Sequence, residues 1–144
     1  MGKAANGLYF SEPFMYEVSG SPIVSITYPV YVDGLFKGLV GIDVDLDSIG
    51  AIVSSVKLAE GSYPILLSRD GTLMYHPDSS LVFTIKGTEL GEDFARLSQE
   101  MLAGGTGLGE VSHEGEPLTV YYGPVDMAGW ALGVVIPRRL LVQL

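Results

Sequence analysis

The sequence predicts an α+β fold in which antiparallel sheets carry flanking helices. Nineteen glycines and eight prolines among 144 residues favour many short strands and turns over long helices. Two turn signals, Asp33-Gly34 and Asp70-Gly71, each stand between runs rich in β-branched and aromatic residues. Helical spacing of apolar residues occurs in two short stretches, residues 49–56 and 94–101. Together these observations indicate sheets built from hairpins, with short helices between them.

The composition limits the functions that are open to the chain. With 47% hydrophobic residues, 144 residues can bury a core and form one average domain or two small modules. A net charge of −9 and only eight Lys plus Arg argue against nucleic acid as a partner, because phosphates require clustered basic residues. The absence of cysteine excludes disulfides, thiolate metal sites and a cysteine nucleophile.

The first half of the chain is predicted to form a short strand and a long hairpin. Leu8 to Phe10 forms the short strand, Glu17 to Ser21 is a turn, and Ile23 to Val32 pairs with Leu35 to Val44. Asp33-Gly34 suits the hairpin turn because both central positions of a type I′ turn need a positive φ.

A helix is predicted to follow this hairpin. Asp47 is expected to cap its N-terminus. Its apolar face comprises Ile49, Ile52, Val53 and Val56. The helix is expected to end near Leu58, before Gly61.

The second half is predicted to contain five strands and a helix. The strands are Tyr63 to Ser68, Thr72 to His76, Gly107 to His113, Glu116 to Tyr122 and Trp130 to Ile136. Residues 77–88 read as a loop, and Gly104-Gly105 ends a helix marked by Phe94, Leu97 and Met101. Arg138 to Leu144 begins a further helix.

Asp43 is the most informative polar residue, because it interrupts the apolar run Leu39 to Val44. A carboxylate in apolar surroundings costs free energy unless another group pairs with it. Two interpretations remain open: a ligand-facing group, or a structural carboxylate bonded to backbone amides at a strand end.

A weak internal repeat relates the two halves of the chain. A shift of 94 residues places Tyr28 on Tyr122, Phe36 on Trp130, Val40 on Val134, Ile42 on Ile136 and Leu46 on Leu140. In both copies a strand, a turn and a second strand lead into a helix. The repeat indicates either chance similarity between two amphipathic hairpins or two related modules in tandem.

Several segments resemble the double Cache family of sensor domains. From the first half these are Phe10-Ser11-Glu12-Pro13-Phe14, Pro22-Ile23-Val24-Ser25-Ile26, Tyr28-Pro29-Val30-Tyr31 and Gly38-Leu39-Val40-Gly41-Ile42-Asp43-Val44. From the second half they are Tyr63 to Leu67, Arg69-Asp70-Gly71 and Met74-Tyr75-His76-Pro77. The order of the second half (two strands, a loop and helix, three antiparallel strands) is that of a PAS-like sensor fold.

The resemblance implies a PAS-like Cache fold with a complete membrane-proximal module and a partial membrane-distal module. Residues 1–46 would be the closing strands of the truncated distal module, 47–60 the connecting helix and 61–144 the proximal module. We expect the opening half of the distal module to lie outside this chain. Such domains usually sit between two membrane helices of chemoreceptors, sensor kinases and similar receptors. The resemblance therefore implies an extracytoplasmic sensor of a plasma-membrane protein. We predict a homodimer and no cofactor.

The resemblance also implies a set of ligand-binding residues. In amino-acid-binding members, an aspartate at the place of Asp43 pairs with the ligand ammonium through a charge-assisted hydrogen bond. Their Tyr-x-Asp pattern corresponds here to Phe14-Met15-Tyr16, so one hydroxyl is lost and a phenol replaces the second carboxylate. Tyr9 and Tyr28 are further pocket candidates, although strand aromatics also serve as core or cross-strand pairs. The ligand is left open between an amine, an organic acid, an uncharged or aromatic molecule, and none.

Two other classes of function are open to the sequence. An interaction module without ligand would pair through the unpartnered distal sheet edge as a dimer, or rearrange residues 8–46 onto the second module. A small β-rich hydrolase or lyase would use Asp43 and His76, but Ser68-Arg69-Asp70-Gly71 lacks the Gly-x-Ser-x-Gly pattern of a nucleophile elbow. His76 and His113 are the only histidines and show no ligand spacing, which argues against a metal site. We therefore predict a non-enzymatic domain.

Overall fold

The computed structural model describes residues 7–56 and 60–141, which form two antiparallel sheets and three helices. The predicted helix end near Leu58 and the last three residues of the predicted C-terminal helix lie outside the described residues. None of the described helices is both long enough and apolar enough to cross a bilayer. The α+β class predicted from turn signals and hairpin runs is confirmed.

The first sheet is organised around one long central strand. Its strands are β1 (Tyr9–Phe10), β2 (Phe14–Tyr16), β3 (Ser21–Val32) and β4 (Leu35–Asp45). Strand β3 pairs with β4 along one edge and with β1 and β2 along the other. The opposite edge of β4 has no partner strand among the described residues.

The turn between β3 and β4 has the predicted conformation, with φ values of 51° at Asp33 and 78° at Gly34. Close to the turn, Tyr31 pairs with Phe36, whereas the next pair is Val30 with Gly38. Lys37 is therefore an extra residue in β4, and it forms a bulge that breaks the register.

The first helix begins two residues earlier than the sequence predicted. Helix α1 spans Leu46–Val53, and its N-cap is Asp45 rather than Asp47. The Asp45 carboxylate accepts a hydrogen bond from the Ser48 backbone N–H at 2.7 Å. Asp45 fits this position because its backbone is still extended, which turns the side chain toward the free amides of the first turn.

The second sheet has the strand order β6-β5-β9-β8-β7. Its strands are β5 (Tyr63–Leu67), β6 (Leu73–Tyr75), β7 (Gly107–His113), β8 (Glu116–Val125) and β9 (Trp130–Pro137). Helix α2 (Glu92–Leu102) precedes β7, and α3 (Arg138–Leu141) follows β9. The predicted loop contains two short 3-10 turns, Ser79–Leu81 and Gly87–Glu89. All five predicted strands and the predicted helix are present.

Each face of the second sheet contributes to a separate apolar cluster. Beneath α2, the cluster includes the buried side chains Ile65, Leu67, Leu73, Phe94, Leu97, Met101 and Val135. On the other face, Leu66 and Met74 pack with Val24 of β3 and Leu46 of α1. This second cluster is the apolar junction between the two sheets, and it fixes how α1 lies against both.

The pairing of the two hairpins agrees with the predicted repeat close to their turns. Tyr31 pairs with Phe36 in the first hairpin, and Val125 pairs with Trp130 in the second, which is the same pair after the 94-residue shift. Beyond this point the registers differ by one residue because of Lys37. A common origin of the two hairpins remains a prediction.

Replacing Leu67 should test the α2 cluster. Leu67 is 0% exposed, so Leu67→Ala is expected to lower the free energy of unfolding by about 2–5 kcal/mol through lost burial and a residual cavity. Leu108→Ala is the matched control, because Leu108 is 56% exposed and its truncation should change stability by less than about 0.5 kcal/mol. Urea unfolding followed by circular dichroism measures both. Equal losses in the two variants would contradict the assigned core.

Candidate functional site

Asp43 lies on the exposed surface of β4, not in an apolar interior as its sequence neighbours suggested. Its Oδ1 accepts a hydrogen bond from the Ser25 hydroxyl at 2.5 Å, and the two residues face each other across β3 and β4. The adjacent Ile42 is 63% exposed. The physical reason is that no other described element covers either face of β4 near Asp43, where Val40 and Ile42 are exposed as well.

The strand register places Phe14 and Tyr16 on the same face of the sheet as Asp43. Phe14 pairs with Ile23 and Tyr16 pairs with Ser21, while Asp43 pairs with Ser25. Positions 21, 23 and 25 of β3 point to one face, because side chains alternate along a strand. Both aromatic residues are 40% exposed, so this face combines a carboxylate with accessible aromatic surface.

Tyr9 shares this face by register, since it pairs with Thr27. Its ring, however, already has a cationic neighbour: the Arg69 guanidinium lies 5.2 Å from the ring centre. Tyr9 therefore borders the face and contacts the second sheet through Arg69.

Tyr28 lies on the opposite face of the sheet from Asp43. It pairs with Val40, three positions along the strand from the Ser25–Asp43 pair, and an odd separation places a side chain on the other face. There it borders a shallow groove of about 280 Å³, together with Leu8, Ile26 and Ile42. The structure thus places Asp43, Phe14, Tyr16 and Tyr9 on one face of the first sheet and Tyr28 on the other.

Two serines that the sequence did not single out extend the polar site. The Ser25 backbone N–H donates to Ser11 Oγ at 2.9 Å, and the Ser11 N–H donates to the Ser25 carbonyl at 2.9 Å. A polar row therefore crosses three neighbouring segments of the sheet: Asp43, Ser25 and Ser11. The available signal was a serine inside a strand of β-branched residues, where a hydroxyl has no packing role.

A larger groove, of about 430 Å³, lies between α1 and the second sheet. Its lining includes Pro22, Leu46, Asp47, Met74, Tyr75 and His76. His76 Nδ1 accepts the backbone N–H of Asp78 at 3.0 Å, so the neutral ring carries its proton on Nε2. Partial burial lowers the pKa of His76 below its ordinary value of 6.5, although the nearby Asp78 carboxylate opposes the shift.

No metal centre is evident in residues 7–56 and 60–141. These residues contain no group of three or more His, Asp or Glu side chains placed to hold an ion.

The chain is similar to sensor domains of bacterial receptors. A family model described as "Cache domain" matches residues 3 to 143. The methyl-accepting chemotaxis protein PscA of Pseudomonas syringae pv. tomato is 27% identical over 137 residues, which cover 93% of this chain and 21% of that protein.

Two solved domains share the fold at comparable identity. The extracellular domain of the candidate histidine kinase mmHK1S-Z3 superposes with a TM-score of 0.81 at 26% identity, over 94% of this chain and 51% of that one. The second is the ligand-binding domain of the amino acid chemoreceptor PctC of Pseudomonas aeruginosa PAO1, in complex with GABA. It superposes with a TM-score of 0.62 at 28% identity, over 92% of this chain and 57% of that one. The chain thus spans about half the length of these domains.

The pH dependence of stability should report the burial of His76. Its pKa is lower in the folded protein than the unfolded value of 6.5, so the unfolded state binds more protons as the pH falls toward and through 6.5. The free energy of unfolding is therefore expected to decrease as the pH falls from 7.5 toward the folded pKa, and His76→Gln should remove that part of the decrease.

Tyr63→Phe serves as the control for this measurement. The Tyr63 ring lies edge-to-face with His76 at 5.9 Å, and phenylalanine preserves that contact. The control should keep the pH dependence of the parent protein in urea titrations at each pH. An unchanged slope in His76→Gln would contradict the assignment.

Proposed function

Because the chain belongs to the Cache domain family, we propose that it is the small-molecule-sensing part of a membrane-anchored signalling receptor, placed outside the cytoplasm. The observation that carries this proposal is the family match over residues 3 to 143. Support comes from the similarity to a chemotaxis protein and to the extracellular domain of a candidate histidine kinase. The natural reading frame is expected to encode a membrane helix on each side and a cytoplasmic output domain.

Within this proposal the two sheets belong to two modules. Residues 1–46 would belong to the closing part of a membrane-distal module and 61–144 to the membrane-proximal module. Residues 47–60 would form the helix that connects the two modules. The strand order β6-β5-β9-β8-β7 with α2 on one face supports a complete proximal module. The exposed faces of β3 and β4 support a distal module that is only partly present.

The ligand that best fits the Asp43 face carries an ammonium group. Asp43 supplies an exposed carboxylate whose Oδ1 is already oriented by the Ser25 hydroxyl. The exposed rings of Phe14 and Tyr16 on the same face can hold the methylene groups or the charge of an amine. PctC was solved with GABA, a compound of this class. An organic acid would meet an unfavourable charge at Asp43.

Signalling would follow from a shift between two arrangements of the sheets and their helices. A ligand can shift such an equilibrium only by binding one arrangement more tightly than the other. Helix α1 packs against both sheets through Leu46, so a movement of β3 relative to the second sheet changes the position of α1. We infer no catalytic step, and reproducible turnover of a small substrate that Asp43→Ala abolishes would contradict this.

Calorimetric titration with three probes tests the ligand class. GABA carries both an ammonium and a carboxylate, propylamine carries only the ammonium, and propionate carries only the carboxylate. GABA and propylamine are expected to bind, and Asp43→Asn should weaken both by about tenfold to a hundredfold, the effect of one charge-assisted hydrogen bond. Propionate is expected not to bind.

Asp33→Asn is the control variant for this titration. Asp33 is an exposed carboxylate in the turn of the same hairpin, away from the Ser25–Asp43 pair. It should leave both affinities unchanged. Binding of propionate that survives Asp43→Asn would overturn the ammonium assignment.

A second candidate function is association of two copies through β4. Its outer edge has no partner strand among the described residues, and its apolar side chains are exposed. Unpaired edges with apolar residues readily pair with another strand. A homodimer is therefore the proposed assembly of this chain.

Sedimentation velocity tests the homodimer. The parent chain should sediment as a dimer at micromolar concentration, and Ile42→Lys should shift it to a monomer, because an edge lysine opposes strand pairing. Lys37→Glu, which alters charge at the bulge of the same strand, should leave the dimer in place. A monomeric parent chain would refute pairing through β4.

A further inference from the structure

A cluster of contacts joins the irregular segment between β1 and β2 to the turn between β5 and β6. Glu12 Oε2 accepts from Arg69 Nε at 3.0 Å, and Glu12 Oε1 accepts from the Asp70 backbone N–H at 3.3 Å. Arg69 Nη2 also donates to the Phe10 carbonyl at 2.5 Å, while its guanidinium faces the Tyr9 ring. One turn of the second sheet therefore holds the edge of the first sheet at several points.

This cluster differs from an ordinary surface ion pair in its burial and in the number of contacts that one guanidinium makes. The side chains of Arg69 and Glu12 are each only 34% exposed. An isolated exposed pair contributes little to stability. Here the planar guanidinium uses Nε, Nη2 and its ring-facing surface together, which a lysine ammonium could not do from one position.

The turn that carries Arg69 is internally cross-linked. Asp70 Oδ1 accepts hydrogen bonds from Ser68 Oγ at 2.8 Å, from the Thr72 N–H at 3.0 Å and from Thr72 Oγ1 at 2.7 Å. Burial raises the pKa of Asp70, but the hydrogen bonds from Thr72 and Ser68 outweigh it and hold the pKa well below its ordinary value. These hydrogen bonds stiffen the turn, so a displacement of Arg69 is expected to move the adjoining ends of β5 and β6 with it.

The same cluster is continuous with the polar row that contains Asp43. Asp43 accepts from Ser25, whose backbone bonds to Ser11 in both directions. The Ser11 hydroxyl donates to the Glu12 carbonyl at 3.0 Å. The backbone carbonyl of Glu12 is thus linked to Asp43 through Ser11 and Ser25, and its side-chain carboxylate bonds to Arg69.

Gly129 leaves the space that Arg69 occupies. A Cβ atom at Gly129 would lie 2.8 Å from both Cγ and Cδ of Arg69, and its φ of 74° already favours glycine. Any side chain at this position would displace the Arg69 stem.

We propose that Glu12 and Arg69 form a latch that positions the Asp43–Ser25–Ser11 row and transmits its state to the β5–β6 turn. Glu12 and Arg69 act as positioning residues, since they reach Asp43 only through the row. That the row responds to a ligand rests on the proposed sensing function, whereas the coupling itself does not.

Amide signals of the 15N-labelled chain test the coupling without any ligand. Asp43→Asn removes the charge of the carboxylate and is expected to move the amide signals of Ser11 and Asp70 in the parent protein. In a Glu12→Ala background the signal of Asp70 should no longer respond to Asp43→Asn. Glu12→Ala alone should accelerate hydrogen exchange at the Asp70 amide by about fivefold, because it removes the carboxylate that accepts from that N–H.

Matched variants separate a latch from a general loss of stability. Arg69→Lys keeps the charge and should still uncouple Asp70 from Asp43, whereas Arg96→Lys alters an exposed ion pair with Asp93 and should not. Gly129→Ala, which displaces the Arg69 stem, should also remove the response of the Asp70 amide to Asp43→Asn. Its control, Gly115→Ala, shares a positive φ of 82° in a turn but has no heavy atom within 4 Å of the added Cβ.

The proposal is overturned if Asp70 does not respond to Asp43→Asn in the parent protein. It is also overturned if the response persists in both Glu12→Ala and Arg69→Lys, or disappears equally in Arg96→Lys. Failure of the three titration probes to bind would count against the proposed ligand class and would leave these amide measurements unaffected. The two hypotheses can therefore fail separately.

Discussion

The apolar junction of Val24, Leu46, Leu66 and Met74 is the contact on which the arrangement of the two sheets depends. These four side chains are between 0% and 3% exposed, although they come from β3, α1, β5 and β6. Burying a side chain of this size stabilises a fold by about 1.5–3 kcal/mol. Since Val24 lies within the central strand of the first sheet, this junction orients every residue that β3 pairs with, including Asp43.

The two ends of the first sheet differ in burial. Its end near Val24 is buried against the second sheet, whereas its far end, toward the Asp33-Gly34 turn, is exposed on both faces. The polar row at Asp43, Ser25 and Ser11 lies between these regions. A group bound at this row would contact the sheet between its buried end and its exposed end. Binding there could therefore shift the exposed end relative to the buried one.

Much of the fold could be predicted because the signals were local. The Asp33-Gly34 turn, the alternation in β3 and β4 and the apolar spacing in α2 each fix a short segment by themselves. The predicted N-cap of α1 was wrong by two residues. Asp45 and Asp47 are equivalent as sequence signals, and only the extended backbone at Asp45 distinguishes them. The candidate site was less predictable. The division of Tyr28 from Phe14 and Tyr16 follows from strand pairing, and the role of Arg69 follows from a contact with Glu12 that spans 57 positions of the chain.

The irregular segment at residues 11–13 has a consequence for how such a site can diversify. Between Phe10, opposite Ile26, and Phe14, opposite Ile23, one strand advances four residues while its partner advances three. The extra residue sets which face Phe14 and Tyr16 present. A single-codon insertion or deletion here would exchange the faces of these aromatic residues while Asp43 stays in place. The side chains that the proposed ligand-binding face presents could then change through chain length alone, without any substitution at Asp43, Phe14 or Tyr16.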